Sequence, residues 1–423
     1  MDKFIIEGPT PLKGEIRISG SKNAALPLMA ASLLGKSPSS LQLIPRLRDI
    51  YTFNNVIRET GTKVHFHEEE NSISIDPASL TRTEAPYELV RKMRASFYML
   101  GALLGRAGEA KVSLPGGCAW GPRPVDLHLK GFEEMGAKIE LKEGYVYASM
   151  PEDGSEGGEF LLEPSSVGAT INLLLGAVLR AKNFVIRNAA KEPDVVLLCN
   201  MLSKMGADIE GTGTKTLTIR KVNELQGVKF SNDPDRIETG TYMIAAALHP
   251  DSDVTLTGCK PSDLGVFPDY FRKLDRPLEI NDERIRIGPN GKHLEPVSVT
   301  TDVYPGFPTD LQAQWATLMT QADGTSTVKD TIYNDRFSYA PELRRLGANI
   351  SVQSNVATVR GITRLNGASV MSTDLRASVS LVLAGLVAEG TSEILRVYHL
   401  DRGYEELEKK LNGVGASIQR TAQ

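Results

Sequence analysis

Six helix openings recur along the 423-residue chain: SGSKNAALPLMAASLL, RKMRASFYMLGALL, EPSSVGATINLLLGAVL, DPDRIETGTYMIAAAL, FPTDLQAQWATLM and STDLRASVSLVLAGLV. Their entry residues are Lys22, Arg94, Ser166, Arg236, Asp310 and Arg376, separated by 72, 72, 70, 74 and 66 residues. A second marker keeps the same period, a helix end running into a strand: RETGTKVHF, EEMGAKIEL, SKMGADIEG, RKLDRPLEI, RRLGANISV and NGVGASIQR. Two markers sharing one period mean one supersecondary unit used repeatedly. Each unit mixes strands with two helices, which excludes a helical solenoid and implies α/β units with sheets packed on helices. Gly61, Gly136, Gly206, Gly347 and Gly415 supply the left-handed residue that turns a helix end into a strand. Asp275-Arg276-Pro277 stands in the fourth copy, which predicts a different ending there. Six units imply two globules of three, with short crossings near Ser21 and near Asn232 to Asp233.

Composition narrows the function classes. A net charge of -4 advertises no nucleic-acid surface. No apolar run reaches 18 residues, so no membrane insertion is expected. The start, MDKFIIEGPTPL, lacks the pattern of a signal peptide, and the expected compartment is the cytoplasm. Three widely spaced cysteines are not a disulfide framework. Cys199, in VVLLCNML, reads as a core thiol, and Cys259, after VTLTG, as structural. There is no Walker A sequence and no strand-anchored G-x-G-x-x-G. GTGTK at 211–215 reads as a hairpin turn. His65 and His67 share one face of a strand without a third ligand, which argues against a metal site. His128 reads as a helix residue with a structural hydrogen bond.

The chemistry collects at the unit ends. Lys22, Arg94, Arg236 and Arg376 stand where helix starts favour acidic or neutral residues. Each is either a solvated surface cation or part of an anion site built from helix N-termini and cationic groups, which suits phosphate or carboxylate ligands. In KVSLPGGCAWGPRPVDLHLKG, Gly116, Gly117, Gly121 and Pro122 bracket Cys118 on a loop, and Arg123 is placed to favour its thiolate. The alternative is an incidental loop thiol. Asp310, after Pro308, is either an N-cap or a general base for a substrate hydroxyl. Asp374 in STDLRAS poses the same choice, and Arg402 in HLDRGYE is a loop cation ahead of a helix.

With SGSKNAALP, MRASFYMLG, SLPGGCAWGPRPVDLH, SSVGAT, EPD, DRIETGT, FPTDLQAQ, DLRAS and HLDRGYE in order, the chain resembles the UDP-N-acetylglucosamine 1-carboxyvinyltransferase family from end to end. The resemblance implies a two-domain inside-out α/β barrel. It has six repeated α/β units, three per domain, with the active site in the interdomain cleft. Residues 22–232 would form the domain carrying the Cys118 lid loop, and residues 1–21 and 233–423 the other. It implies phosphoenolpyruvate and UDP-N-acetylglucosamine as substrates, with no metal or organic cofactor. Cys118 would be the acid at C3 of phosphoenolpyruvate and Asp310 the base near the 3'-hydroxyl. Lys22, Arg123 and Arg402 would cradle phosphoenolpyruvate, with Asn23 and Arg94 lining the joint site. Arg123, Pro124, Val125, Asp126, Leu127, Ser166, Val167, Gly168 and Ile332 match nucleotide-sugar contacts. Asp374 and Arg376 match a pair beside the reacting centre.

Two rival readings come from different sources. A 5-enolpyruvylshikimate-3-phosphate synthase shares the fold, but a small acceptor has no need of the cysteine segment with RPVDLH. A binding-only paralogue has no need of Cys118, Asp310, Arg123 and Arg402 together.

Overall fold

A computed structural model describes residues 2–115 and 125–422. The chain divides into two compact units, Gly20–Asp233 and Met1–Ser19 with Pro234–Gln423. Among the described residues there are six four-stranded sheets, three in each unit. One sheet shows the plan. Strand Glu84–Ala85 runs parallel to Glu109–Ser113, which pairs antiparallel with Tyr145–Ser149, itself antiparallel to Lys138–Lys142. The parallel pair needs a crossover, supplied by helix Tyr98–Ala107, and helix Asp126–Glu134 follows before the closing hairpin. The repeat in the sequence is therefore a βαβαββ unit.

Two of the six sheets borrow a strand from the far end of their own globule. In Gly20–Asp233 the sheet of Ser39–Gln42, Lys63–His67 and Ser72–Asp76 takes Lys229–Ser231 as its fourth strand. In the other unit Asp2–Gly8 slots between Gly390–Leu395 and Ser417–Ala422, antiparallel to both. Lys13–Arg17 then starts the next sheet beside Asp253–Thr257. The residues before Ser19 thus serve two sheets of that globule.

In Gly20–Asp233 the helices that open each repeat lie inside and the sheets outside. Helix Val167–Ala177 buries every residue from Ala169 to Ala177, and helix Lys22–Ala31 buries Ala24 to Ala31. Helices apolar on all sides must be enclosed. Their neighbours touch backbone to backbone. A Cβ on Gly101 would lie 2.3 Å from the Asn172 carbonyl oxygen, and one on Gly105 would lie 2.3 Å from that of Leu175. The strands outside bury alternate residues, as Val64 between Lys63 and His65 shows. The other unit repeats the scheme with helices Arg236–Ala247, Gln312–Met319 and Leu375–Gly385, each almost wholly buried. Among the described residues, no helix is long and apolar enough to cross a membrane.

Several sequence expectations are met in detail. Cys199 and Cys259 are buried and unbridged. The 211–215 segment joins the antiparallel strands Asp208–Glu210 and Thr216–Arg220. The fourth repeat ends differently in one respect and not in another. Asp275 takes a positive φ of 57°, as Gly61 does at 85° and Gly347 at 94°. Among the described residues, however, the bond that Gly61, Gly136, Gly206, Gly347 and Gly415 each donate from N to the carbonyl three residues back has no Asp275 counterpart. Aspartate tolerates that region better than most side chains. What is special there is its neighbour. The Arg276 guanidinium is buried and donates to the carbonyls of Ala246, His249, Pro250 and Ser252 and to Asn290 Oδ1 at 2.7–3.3 Å. It closes the carbonyl end of helix Arg236–Ala247, alongside the Ser252 N donor to the His249 carbonyl and the Asn290 N donor to that of Pro250. Burial lowers its pKa to about 10, which leaves it charged at neutral pH. Arg276→Met should strip these acceptors of their donor and destabilise the protein by about 3 kcal/mol or more; thermal or denaturant unfolding of the variant measures it.

Candidate functional site

Each unit presents its chemistry at the N-terminal ends of its inner helices. In Gly20–Asp233, Ser21 caps helix Lys22–Ala31 by accepting from Ala24 N at 3.2 Å, and its own hydroxyl reaches Asp194 Oδ1 at 3.1 Å. Lys22 sits one residue inside the cap. Its Nζ lies 3.2 Å from Asp49 Oδ2, and its side chain is 12 % exposed, so it is not a solvated surface cation. Asn23 is half-buried beside it. Arg94, also half-buried, opens the short 3-10 turn Arg94–Phe97 that leads into helix Tyr98–Ala107. Ser166 caps helix Val167–Ala177 through Ala169 N, with Val167 and Gly168 in its first turn. Val125 precedes helix Asp126–Glu134, which carries Asp126 and Leu127 on its first turn. Cys118, Arg123 and Pro124 lie outside the described residues.

His128, third in that helix, is a core histidine. Asn172 Nδ2 approaches its Nδ1 at 2.9 Å and also donates to the Phe97 carbonyl at 3.0 Å, while Asn172 Oδ1 accepts from Gly101 N at 2.8 Å. An amide donor at Nδ1 places the ring proton on Nε2. Burial, helped by the nearby Arg94 charge, lowers the His128 pKa to about 3.

The second unit assembles a denser cluster. Asp310 lies in the 3-10 turn Thr309–Leu311 ahead of helix Gln312–Met319, and its carboxylate caps neither element. Instead Arg336 Nη1 meets Oδ1 and Arg376 Nη2 meets Oδ2, each at 2.7 Å. The two arginine side chains are 10 % and 7 % exposed, whereas Asp310 keeps 26 % exposure and can be reached from outside. Burial alone would push its pKa up. The charges of Arg376 and Arg336 outweigh that and hold the carboxyl well below the usual carboxylate range. Asp310 is thus ionised throughout the neutral range, with both oxygens fixed in direction.

Arg376 also donates from Nη1 to the Tyr404 hydroxyl at 3.1 Å. That hydroxyl is shared with Thr241 Oγ1 at 2.9 Å and Gln314 Nε2 at 3.3 Å. The network therefore joins DRIETGT, FPTDLQAQ, DLRAS and HLDRGYE within one globule. Asp374 takes the plainer of its two readings. It caps helix Leu375–Gly385, accepting from Arg376 N at 2.9 Å and Ala377 N at 3.0 Å, and its other oxygen accepts from Ser338 Oγ. Caps Ser21, Asp235 and Asp374 precede Lys22, Arg236 and Arg376, so these helices start on ordinary caps with the cation just inside. Arg402 ends the turn Val397–Arg402, two residues before Tyr404. Ile332 is 37 % exposed on the loop after strand Thr325–Lys329. Among the described residues, no cluster of histidine, cysteine and carboxylate groups has metal-site geometry.

Sequence reasoning missed Arg336 and Tyr404. Tyr404 stood inside HLDRGYE, a motif already singled out. Arg336, in NDRFSYA, is 26 residues from Asp310 with no local pattern to mark it.

The chain is similar to known proteins along its length. The family model described as EPSP synthase (3-phosphoshikimate 1-carboxyvinyltransferase) matches residues 6–411. The chain is 50 % identical over 421 residues to the UDP-N-acetylglucosamine 1-carboxyvinyltransferase of Chloroherpeton thalassium, covering 99 % of this chain and 97 % of the relative. The protein of the same name from Chlorobium phaeovibrioides is likewise 50 % identical over 421 residues, covering 99 % and 98 %. The crystal structure of the enolpyruvyl transferase NikO from Streptomyces tendae superposes with a TM-score of 0.90 at 25 % identity, covering 100 % of this chain and 99 % of that one. EPSP synthase from Acinetobacter baumannii, at TM-score 0.78, 16 % identity and full coverage of both chains, shares the fold.

The neutral His128 makes a pH prediction. Its pKa is lowered in the folded protein, so the unfolded chain takes up the proton first as pH falls. Stability should hold above about 6.5 and decline towards about 3, by up to a few kcal/mol. Unfolding of His128→Gln across this window should show a flatter profile between about pH 4 and 6.5, above the range where Asp310 protonates.

Proposed function

We infer from its membership of the EPSP synthase family, to which this chain belongs, that it transfers the enolpyruvyl group of phosphoenolpyruvate to the 3'-hydroxyl of UDP-N-acetylglucosamine and releases phosphate. It is a transferase of peptidoglycan synthesis. The observation that carries the reading is the full-length kinship with carboxyvinyltransferases of that name, and the cluster around Asp310 has the chemistry the reaction asks for.

The reaction is an addition followed by an elimination. The sugar oxygen forms a bond to C2 of phosphoenolpyruvate, its proton leaves to a base, and C3 gains a proton. The resulting ketal then loses phosphate as the C2–C3 double bond re-forms and C3 gives up a proton. Asp310, ionised and aimed by two arginines, is the acceptor for the hydroxyl proton. A base held so low in pKa binds the proton weakly, so its contribution rests on orientation and on passing the proton onward. Lys22, Arg123 and Arg402 offset the charge of phosphoenolpyruvate, with Asn23 and Arg94 beside them. The opened N–H groups of Ser166, Val167 and Gly168 suit the diphosphate. Val125, Asp126, Leu127, Pro124 and Ile332 complete the nucleotide-sugar contacts. Cys118 is the acid at C3. Asp374 acts through Arg376, whose helix it caps. The substrates carry the leaving group themselves, and the protein is expected to work in the cytoplasm.

Phosphate release from phosphoenolpyruvate should occur with UDP-N-acetylglucosamine as acceptor and not with shikimate 3-phosphate. Release with shikimate 3-phosphate would reassign the chain to the sister activity. Binding of the nucleotide sugar without any release would mark a non-catalytic relative.

Substitution at the carboxylate tests the assignment further. Asp310→Asn should lower kcat roughly 100-fold or more while the protein stays folded. Arg336→Gln removes one cation, so the Asp310 pKa rises. The acid limb of the kcat/KM profile, absent near neutrality in the wild type for this group, should then move to higher pH. An unchanged acid limb would show that Asp310 is not the group whose ionisation the reaction needs.

A further inference from the structure

Asp330 follows strand Thr325–Lys329 and is wholly buried. Buried carboxylates are rare unless each oxygen is satisfied. Here the two oxygens divide their partners by segment. Oδ1 accepts from Thr301 Oγ1 at 2.8 Å, Ile332 N at 2.8 Å and Tyr333 N at 2.9 Å. Oδ2 accepts from Thr309 Oγ1 at 2.6 Å and Gln312 Nε2 at 3.2 Å. The first set fixes the loop that displays Ile332. The second set brackets Asp310 in the chain, one residue before it and two after. Gln312 Nε2 also donates to the Arg336 carbonyl at 2.6 Å, and Arg336 Nη1 donates to Thr309 Oγ1 at 3.1 Å. The same side chains that touch Asp330 therefore also hold the arginine that grips Asp310.

An aspartate that only closes a local turn needs one oxygen for the two amides after it. The second oxygen of Asp330 is committed to a different segment, 18 to 21 residues away. We propose that Asp330 is a positioning residue that joins the Asp310 turn to the Ile332 loop, so that seating of the nucleotide sugar and placement of the carboxylate at its hydroxyl occur together. This rests on the roles of Asp310 and Ile332 given under Proposed function. Asp330 itself is too deep to touch substrate. Its effect passes through Thr309 and Gln312, and near-ångström displacement of an aligned group is enough to slow a reaction roughly 100-fold.

Asp330→Asn separates the two sides. Its carbonyl oxygen can still accept from Ile332 N and Tyr333 N, while its amide nitrogen faces the donor Nε2 of Gln312. The expected result is a fall in kcat of roughly 10- to 100-fold, with the dissociation constant for UDP-N-acetylglucosamine changed less than about 3-fold. Thr309→Val removes the donor on the same side and should reproduce the loss, and Thr309→Ser, which keeps the hydroxyl, should restore turnover. The double variant Asp330→Asn with Thr309→Val should be no slower than Asp330→Asn alone, because both act through one contact. If Asp330→Asn shows no cooperative melting transition, the Thr309 pair decides. Losses that multiply in the double variant, failure of Thr309→Ser to recover, or undiminished kcat in both single variants would overturn the proposal alone. Absence of phosphate release by the wild type with UDP-N-acetylglucosamine would instead overturn the parent reading and this one with it.

Discussion

The enclosure of three apolar helices in each globule is the constraint on which the rest depends. A helix such as Lys22–Ala31, apolar and buried from Ala24 to Ala31, has no side that can face water. Sheets must therefore wrap the outside, and each strand must alternate between core and solvent. Polar side chains of an inner helix can reach solvent only where that helix begins or ends. Chemistry is thereby confined to the helix ends, which is where Lys22, Ser166, Asp310 and Arg376 stand. The close approach at Gly101 and Gly105 tightens the same constraint, since it leaves no room to shift one inner helix against the next.

Ionic design at Asp310 follows from that confinement. The carboxylate sits at the mouth of a dense core, where an unpaired charge would be unfavourable. Two arginines, themselves almost enclosed, supply the compensation and leave one face open. Tyr404 then anchors Arg376 from behind. The arrangement fixes direction at the expense of basicity.

The period of the repeat and the helix ends were legible in the sequence because each arises from local rules: apolar spacing, left-handed turn residues and caps. At Asp275 the residue type departs from the pattern and the closing hydrogen bond goes with it, while the positive φ is kept because aspartate can adopt it. For Asp310 and Asp374 the sequence posed the same alternatives, cap or reactive group, and could not separate them. In the structure one Asp374 oxygen turns to the amides of its own helix and the other to Ser338 Oγ, while both oxygens of Asp310 turn to side chains from Arg336 and Arg376. Such long-range pairings leave no trace in a local window, which is also why Arg276, Arg336 and Asp330 went unmarked.

The placement of strand Asp2–Gly8 has a consequence for how the chain is made. It leaves the ribosome well before its two partners, Gly390–Leu395 and Ser417–Ala422. The globule Gly20–Asp233 has all its strands long before then and can fold while synthesis continues. The strand must wait, half apolar, while the segments between it and those partners are made. Asp2, Lys3 and Glu7, flanking the apolar run Phe4 to Ile6, keep charge on a segment that would otherwise be an adhesive edge during that interval. Its sheet thus closes only after the segments on both sides of the other globule have been made.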